Sequence, residues 1–377
     1  MKIICAPDSF KESLTARQAA AAMARGIGRA CPDATVDQCP IADGGEGTVD
    51  AMLAATGGQP RVSRVTDPLG DEVDAGWGIL GSCAKGPTTA VIEMAAASGL
   101  ALIEPQRRDP MRATTHGTGM LIRAALDGGA ARIVMGIGGS ATNDGGCGMA
   151  GALGVVFYDH DGGRLNRLAG GDLQRIARID MSRLDPRIAA VQIAVACDVT
   201  NPLTGPDGAA HIYGPQKSAT PPQVKLLDRN LAHLGELFSA QLCKDVQQMP
   251  GSGAAGGLGG GLVAFLGATL EPGIDLVIKT VGFSGRVADC DLCLTGEGRL
   301  DGQSLLGKAC LGVAQTARQH EVDTIALVGS VGPHARRCIE AGLKAYHVIG
   351  EGLSVSESIN RAGALLETAA AKLVDQL

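Results

Sequence analysis

Short polar segments, three of them glycine-rich, stand where strand-like apolar runs of this chain end, and no other feature restricts the fold as strongly. They are Pro7-Asp8-Ser9-Phe10-Lys11, Asp43-Gly44-Gly45-Glu46-Gly47-Thr48, Gly138-Gly139-Ser140-Ala141-Thr142-Asn143-Asp144-Gly145-Gly146, Cys197-Asp198-Val199-Thr200-Asn201-Pro202 and Thr295-Gly296-Glu297-Gly298-Arg299-Leu300-Asp301-Gly302. Open α/β sheets bind ligands outside the carboxyl ends of their strands, so five such segments point to one ligand-handling face better than to five unrelated turns. The 55 glycines against 9 aromatic residues favour close backbone approach and leave little for stacking a single-stranded nucleic acid.

The runs between these segments read as α/β. Residues 2–6 form a strand, 15–30 an Ala-rich helix with Thr15 as N-cap, 35–42 a second strand, and 47–55 another helix. This βαβα order implies a parallel sheet covered by helices, and it needs more strands than two. Asp291–Thr295, Thr324–Val328 and Ala345–Ile349 supply them, each before a helical stretch, the last being Ser356 to Leu377. At 377 residues the chain exceeds what one core usually supports. Two domains are therefore expected: a doubly wound one from both chain ends (1–58 and 284–377), and an inserted mixed α/β one (59–283). The insert holds a hairpin, Arg61–Val65 and Val73–Leu80, around Asp67-Pro68-Leu69-Gly70, and strands near 90–94, 132–136 and 191–196. Thr220-Pro221-Pro222 reads as a local break.

A net charge of −6 provides no general attraction for polyanions, so bound phosphate must be held by local groups. The eleven cysteines are an odd number scattered among apolar runs and read as packing residues of a reducing compartment; Cys290-Asp-Leu-Cys293 lacks a second metal-spaced pair. The first residues form a strand rather than an export signal, and Gly251 to Leu270, with eight glycines in twenty residues, reads as loops plus a buried helix rather than a membrane span. A cytoplasmic protein without nucleic-acid or membrane partners is expected, as a monomer or homodimer.

Phosphoryl transfer needs backbone N–H groups around phosphate oxygens, cations against their charge, and carboxylates to hold Mg²⁺ and orient a hydroxyl, all of which the five segments contain. Gly302-Gln-Ser-Leu-Leu-Gly307-Lys308-Ala309 nearly matches a P-loop, but Ala309 replaces the magnesium-binding hydroxyl, which leaves Lys308 as a phosphate contact at a helix start. A dinucleotide site is the rival: Gly136-Ile-Gly138-Gly139-Ser140-Ala141 fits G-x-G-x-x-A after a strand, with Asp159 about 20 residues on. The 142–146 run interrupts where its helix should start. His116, between threonines and glycines, reads as a structural histidine.

PDSFKESLTA (7–16), PIADGGEGT (40–48), TDPLG (66–70), GIGGSATNDGG (136–146), CDVTNPL (197–203), YGPQK (213–217), GSGAAGGLGGGL (251–262) and LTGEGRLDGQSLLGK (294–308) together resemble the bacterial type I glycerate kinases. The resemblance spans most of the chain; Glu12 departs from it, standing where that family commonly has glycine. It implies a flavodoxin-like or Rossmann-like domain plus an inserted mixed α/β domain with the site between them, and it implies ATP, Mg²⁺ and D-glycerate. Asp198 is the leading base candidate, Lys11 a cation for phosphate or carboxylate, and Asp43 with Glu46 the candidate holders of Mg²⁺. Ser9, Gly44, Gly45, Gly138, Gly139, Ser140, Thr142, Asn143, Asp144, Asn201, Glu297, Arg299, Asp301 and Lys308 complete the expected substrate- and phosphate-binding set. Which cluster takes adenine stays open, and so does the hydroxyl: C2 is favoured by the resemblance, C3 is the alternative. A hydroxy-acid oxidoreductase using NAD(P) and a non-catalytic binding module are the other classes.

Overall fold

Both ends of the chain meet in one five-stranded parallel sheet, in the order Ala345–Val348, Thr324–Val331, Leu292–Leu300, Lys2–Cys5, Thr35–Gln38. The computed structural model describes residues 1–81, 86–305 and 308–376, so Cys83, Leu377 and the Leu306-Gly307 pair of the P-loop-like run lie outside the described residues. The chain starts mid-sheet, winds one way to Thr35–Gln38 and later returns to wind the other way from Leu292–Leu300. The direction therefore switches between Lys2–Cys5 and Leu292–Leu300, and a crevice opens at the carboxyl ends of strands at such a switch. Asp8 and Glu297 stand there, and the Asp8 N–H donates to the Gly296 carbonyl at 2.8 Å.

Capping fixes the helices that close this sheet. Thr15 and Gln18 exchange hydrogen bonds at the start of Ala16–Ala30, and Ser354 and Glu357 do the same at the start of Val355–Val374. The two helices pack together so closely that a Cβ on Gly26 would lie 2.1 Å from the Glu367 carbonyl oxygen. Arg25 and Arg29 each reach Glu367 at 3.0 Å.

The middle of the chain forms a six-stranded sheet ordered Thr269–Glu271, Gln192–Ala196, Arg132–Gly136, Thr89–Glu93, Glu72–Ile79, Gln59–Thr66. Its first four strands are parallel, and the last two are the expected hairpin. A buried cluster containing Ile4, Ala6, Val91, Val134, Ala194 and Ala196 joins the sheets through helices Thr48–Thr56 and Gly273–Thr280. The carboxyl ends of both sheets consequently face one crevice.

Two expectations change, and the rival dinucleotide reading finds no support. The strand expected at 291–295 runs on to Leu300, paired as far as Val331, so Gly296 to Arg299 belong to the strand; a side chain at Gly296 would meet the Leu327 carbonyl at 2.2 Å. Pro221 and Pro222 do not break the chain but begin the 22-residue helix Pro221–Leu242, where a missing N–H costs nothing. The dinucleotide fingerprint fails because Ile137 to Gly146 carries no helix before the short Cys147–Ala152, and Asp159 accepts from Asp161 and Gly163 of its own turn. Gly251 to Leu270 holds a buried, kinked helix, Ala254–Leu266, and no helix among the described residues is long and apolar enough to cross a membrane. Apart from Cys39, the described cysteines are free.

Candidate active site

Two cavities open on the crevice, and Asp43 lines both. The larger, about 580 Å³, lies over the five-stranded sheet; the smaller, about 290 Å³, lies over the six-stranded one. Asp43 follows Thr35–Gln38 on a loop wedged between the sheets. The loop turns at Gly44, whose φ of +92° suits glycine and where an added Cβ would stand 2.4 Å from the Ala196 Cβ. Asp43 Oδ1 accepts the Gly45 N–H at 3.1 Å, which aims the carboxylate.

The larger cavity gathers Asp8, Ser9 and Lys11 from the end of the first strand, Glu297 and Arg299 from the long central strand, and Lys308. Burial, then the negative charge of Asp43, push the Asp8 carboxyl up to about 7, with Glu297 adding to the rise and the Ser9 N–H and Lys11 opposing it. Glu297 is also pushed up, by burial first, although Ser304 Oγ donates to it at 2.7 Å and Lys308 stands near. Cations thus line one side of a group of carboxylates that repel one another. The far wall is apolar, with Val331, Val348, Ile349 and Val355.

Gly44, Gly45, Gly138, Gly139, Ser140, Asp198, Tyr213 and Gln216 line the smaller cavity. Asp198 follows the strand Gln192–Ala196, and its Oδ1 accepts the Gly273 N–H at 2.7 Å, at the start of helix Gly273–Thr280. Burial raises its pKa, and the charges of Asp43 and Asp275 add to this. Beneath Ser140 lies Lys217, 1% exposed, whose Nζ donates to Ser140 Oγ and to the Thr142 carbonyl, both at 2.6 Å.

Several expected contacts stand elsewhere. Thr142, Asn143 and Asp144 are fully buried and line neither cavity. Asp144 is a structural anchor that accepts from the N–H groups of Thr115, Gly146 and Gly148 and from the hydroxyls of Thr114 and Thr115. Asn201 accepts from the Tyr213 hydroxyl at 2.7 Å and so braces a wall of the smaller cavity. Asp301 accepts from Arg299 Nε at 3.2 Å. Glu46 is exposed and lines neither cavity. The structure adds Asp8, Tyr213, Gln216, Lys217 and the segments Gly329-Ser330 and Gly350-Glu351-Gly352. The last two carry a readable signal, polar and glycine residues after strand-like runs.

For Mg²⁺ the donor set fits: Asp8 and Asp43 are carboxylates close enough that the Asp43 charge adds to burial in raising the Asp8 pKa, a repulsion that a divalent cation relieves. Magnesium needs only one or two carboxylates when phosphate and water fill the remaining positions. No group of three or more His, Cys, Asp or Glu side chains placed to hold a metal ion is present among the described residues.

Residues 3–377 match the sequence model of the glycerate kinase family. A protein of Halalkalibacterium halodurans named glycerate kinase is 47% identical over 98% of this chain and 96% of its own length. One from Escherichia coli K12 named glycerate 2-kinase is 50% identical over 88% of this chain and 86% of its own. A crystal structure from Salmonella typhimurium LT2, provisionally described as glycerate kinase 2, superposes with a TM-score of 0.90 at 44% identity, covering 100% of this chain and 98% of that one.

Proposed function

The chain belongs to the glycerate kinase family, and from that premise we propose that it moves the γ-phosphoryl group of ATP onto the C2 hydroxyl of D-glycerate, in the crevice where the two cavities meet. The products are ADP, 2-phosphoglycerate and a proton. The observation that carries the reading is Asp43, one carboxylate shared by a large cavity with an apolar wall and a smaller one lined by Gly44, Gly138, Gly139, Ser140 and Asp198. A reaction between two differently shaped substrates needs that junction. Residues 1–58 with 284–377 form the nucleotide side, and 59–283 the glycerate side. Free thiols at the described cysteines other than Cys39 suit the cytoplasm.

ATP fits the larger cavity with its base against Val331, Val348 and Val355 and its phosphates toward Lys11, Arg299 and Lys308. Glycerate fits the smaller one, its carboxylate toward Ser140 and the Gly138-Gly139 amides. Asp8 and Asp43 would hold Mg²⁺, replacing the expected Asp43 and Glu46 pair because Glu46 is exposed. When bound, the cation neutralises charge on the transferring phosphoryl group. Lys11 and Arg299 neutralise the remaining charge and keep the phosphates in line with the acceptor.

The acceptor hydroxyl is a weak nucleophile and needs alignment and a place for its proton. Asp198 supplies that place: the Gly273 N–H pins one oxygen, and burial with the Asp43 charge raises its proton affinity. Closing the crevice would exclude water, the competing acceptor.

Coupling the product to enolase and pyruvate kinase without phosphoglycerate mutase tests the site of transfer. Pyruvate formed at the rate of ADP release is the expected result; a strict mutase requirement would assign C3.

A further inference from the structure

A third cavity, about 180 Å³, lies away from the crevice and is lined by His116, Arg164, Asn166 and Arg167 over an apolar floor that includes Phe157 and Leu168. No carboxylate lines it, in a chain whose net charge is −6. Neither Arg164 nor Arg167 has an ion-pair partner among the described residues; the hydrogen bond from Arg167 is a long one, 3.4 Å, to the Leu69 carbonyl. Arg167 also sits at φ +51°, a left-handed conformation that penalises a non-glycine residue. Strain of this kind persists where surrounding structure holds a side chain in place. His116, half-buried, has its pKa lowered by burial and by the positive charges of Arg167 and Arg123. Its Nδ1 lies 3.3 Å from Thr66 Oγ1.

We propose that this cavity is an oxyanion site, distinct from the catalytic crevice, that takes phosphate or a short-chain phosphomonoester. Two exposed guanidinium groups and an Asn amide line the cavity and can donate to a tetrahedral oxyanion, the Arg167 guanidinium lying over Gly70, and no protein carboxylate in the lining offsets their positive charge. The apolar floor accepts a few carbon atoms, while the volume excludes a nucleotide that the 580 Å³ cavity admits. The site also has a physical connection to the crevice. Gly138 to Ser140 line the smaller catalytic cavity, Cys147 and Gly148 line this one, and Asp144 anchors the segment between them.

Isothermal titration of inorganic phosphate into the full chain, with the crevice saturated by magnesium and a non-hydrolysable ATP analogue and in chloride buffer of constant ionic strength, tests the proposal on wild type and three variants. Wild type and Lys11→Met, which alters only the crevice, should both bind phosphate at this site. An Arg164→Gln/Arg167→Gln double variant should bind it about tenfold more weakly or worse, while its turnover without phosphate reports that it is folded. Arg167→Gly, which relieves the backbone strain and removes the guanidinium, should weaken binding without loss of thermal stability. Absence of phosphate binding, binding that survives the double change, or binding abolished by Lys11→Met would overturn the proposal.

Discussion

Lys217 Nζ stands 2.6 Å from Ser140 Oγ beneath the floor of the smaller cavity, with the lysine 1% exposed. Nζ donates, so Ser140 Oγ accepts and keeps its own hydrogen for whatever lies above. With glycerate in the smaller cavity as proposed, Lys217 is its positioning residue. Lys217→Met should raise KM for glycerate about tenfold or more while leaving KM for ATP within about twofold. Equal rises in both constants would indicate general loosening instead.

The same lysine predicts a pH signature. Burial lowers its pKa from 10.5 to about 7, with the Asp144 charge opposing the shift. Between those values the unfolded chain holds a proton that the folded chain lacks, so this residue makes stability rise with pH across the window from about 7 to 10.5. Denaturant unfolding of wild type and Lys217→Met at several pH values should show the wild type gaining relative to the variant through that window. A constant difference would place a permanently charged lysine there.

Asp8 is predicted to trade stability for function. Its folded pKa, about 7, lies above the ordinary 3.8, so the folded chain holds the extra proton and the contribution to stability is lost as pH rises through about 7. Asp8→Asn should therefore melt higher than wild type at pH 8 without ligands, yet lose kcat by about 10² or more because one proposed magnesium ligand is gone. Magnesium with ADP should raise the melting temperature of wild type much more than that of the variant.

Replacing Asp198 by Asn keeps an acceptor for the Gly273 N–H and removes the proton acceptor. Turnover should fall by about 10² or more in a folded protein. Since burial raises the Asp198 pKa, wild-type kcat/KM should decline toward acid pH as that carboxylate protonates, and the decline should vanish in the variant. Retention of the acid limb would move the base elsewhere.

Local chemistry makes much of this legible, and long-range pairing hides the remainder. Thr15 with Gln18 marks a helix start through neighbours three residues apart, and the strand ends carry their polar segments in plain sight. Asp8 does not stand out as a site residue in sequence, because its burial beside Glu297 depends on strands 289 residues apart becoming neighbours. Lys217 stands in sequence only as the end of the YGPQK run, with no role of its own; the fold brings it under Ser140. Asp144 misleads in the opposite sense, since a carboxylate among glycines resembles a ligand contact until its hydrogen bonds to Thr114, Thr115, Gly146 and Gly148 appear.

Glu12, the residue that departs from the glycine common in the family, has φ +66°. The left-handed region penalises a side chain, so the resemblance and the backbone agree that glycine is easier there. Glu12→Gly should stabilise by about 1 kcal/mol in denaturant unfolding, with activity unchanged within about twofold if Lys11 keeps its place. Destabilisation would mean that Glu12 makes a compensating contact.

Gly44 carries the turn that sets Asp43 between the cavities, and two separate constraints act on it: φ +92° and the Ala196 side chain, which an added Cβ would approach to 2.4 Å. Gly44→Ala should cost about 1–3 kcal/mol in stability through overpacking and strain. Displacing Asp43 by about 1 Å should also lower kcat by about 10². The two causes separate in the double variant Gly44→Ala/Ala196→Gly, which removes the collision and keeps the strained φ. If the collision is what moves Asp43, the second change should restore much of kcat while recovering only part of the stability. Recovery of stability without kcat would show instead that the left-handed turn, independent of Ala196, sets the aim of the shared carboxylate.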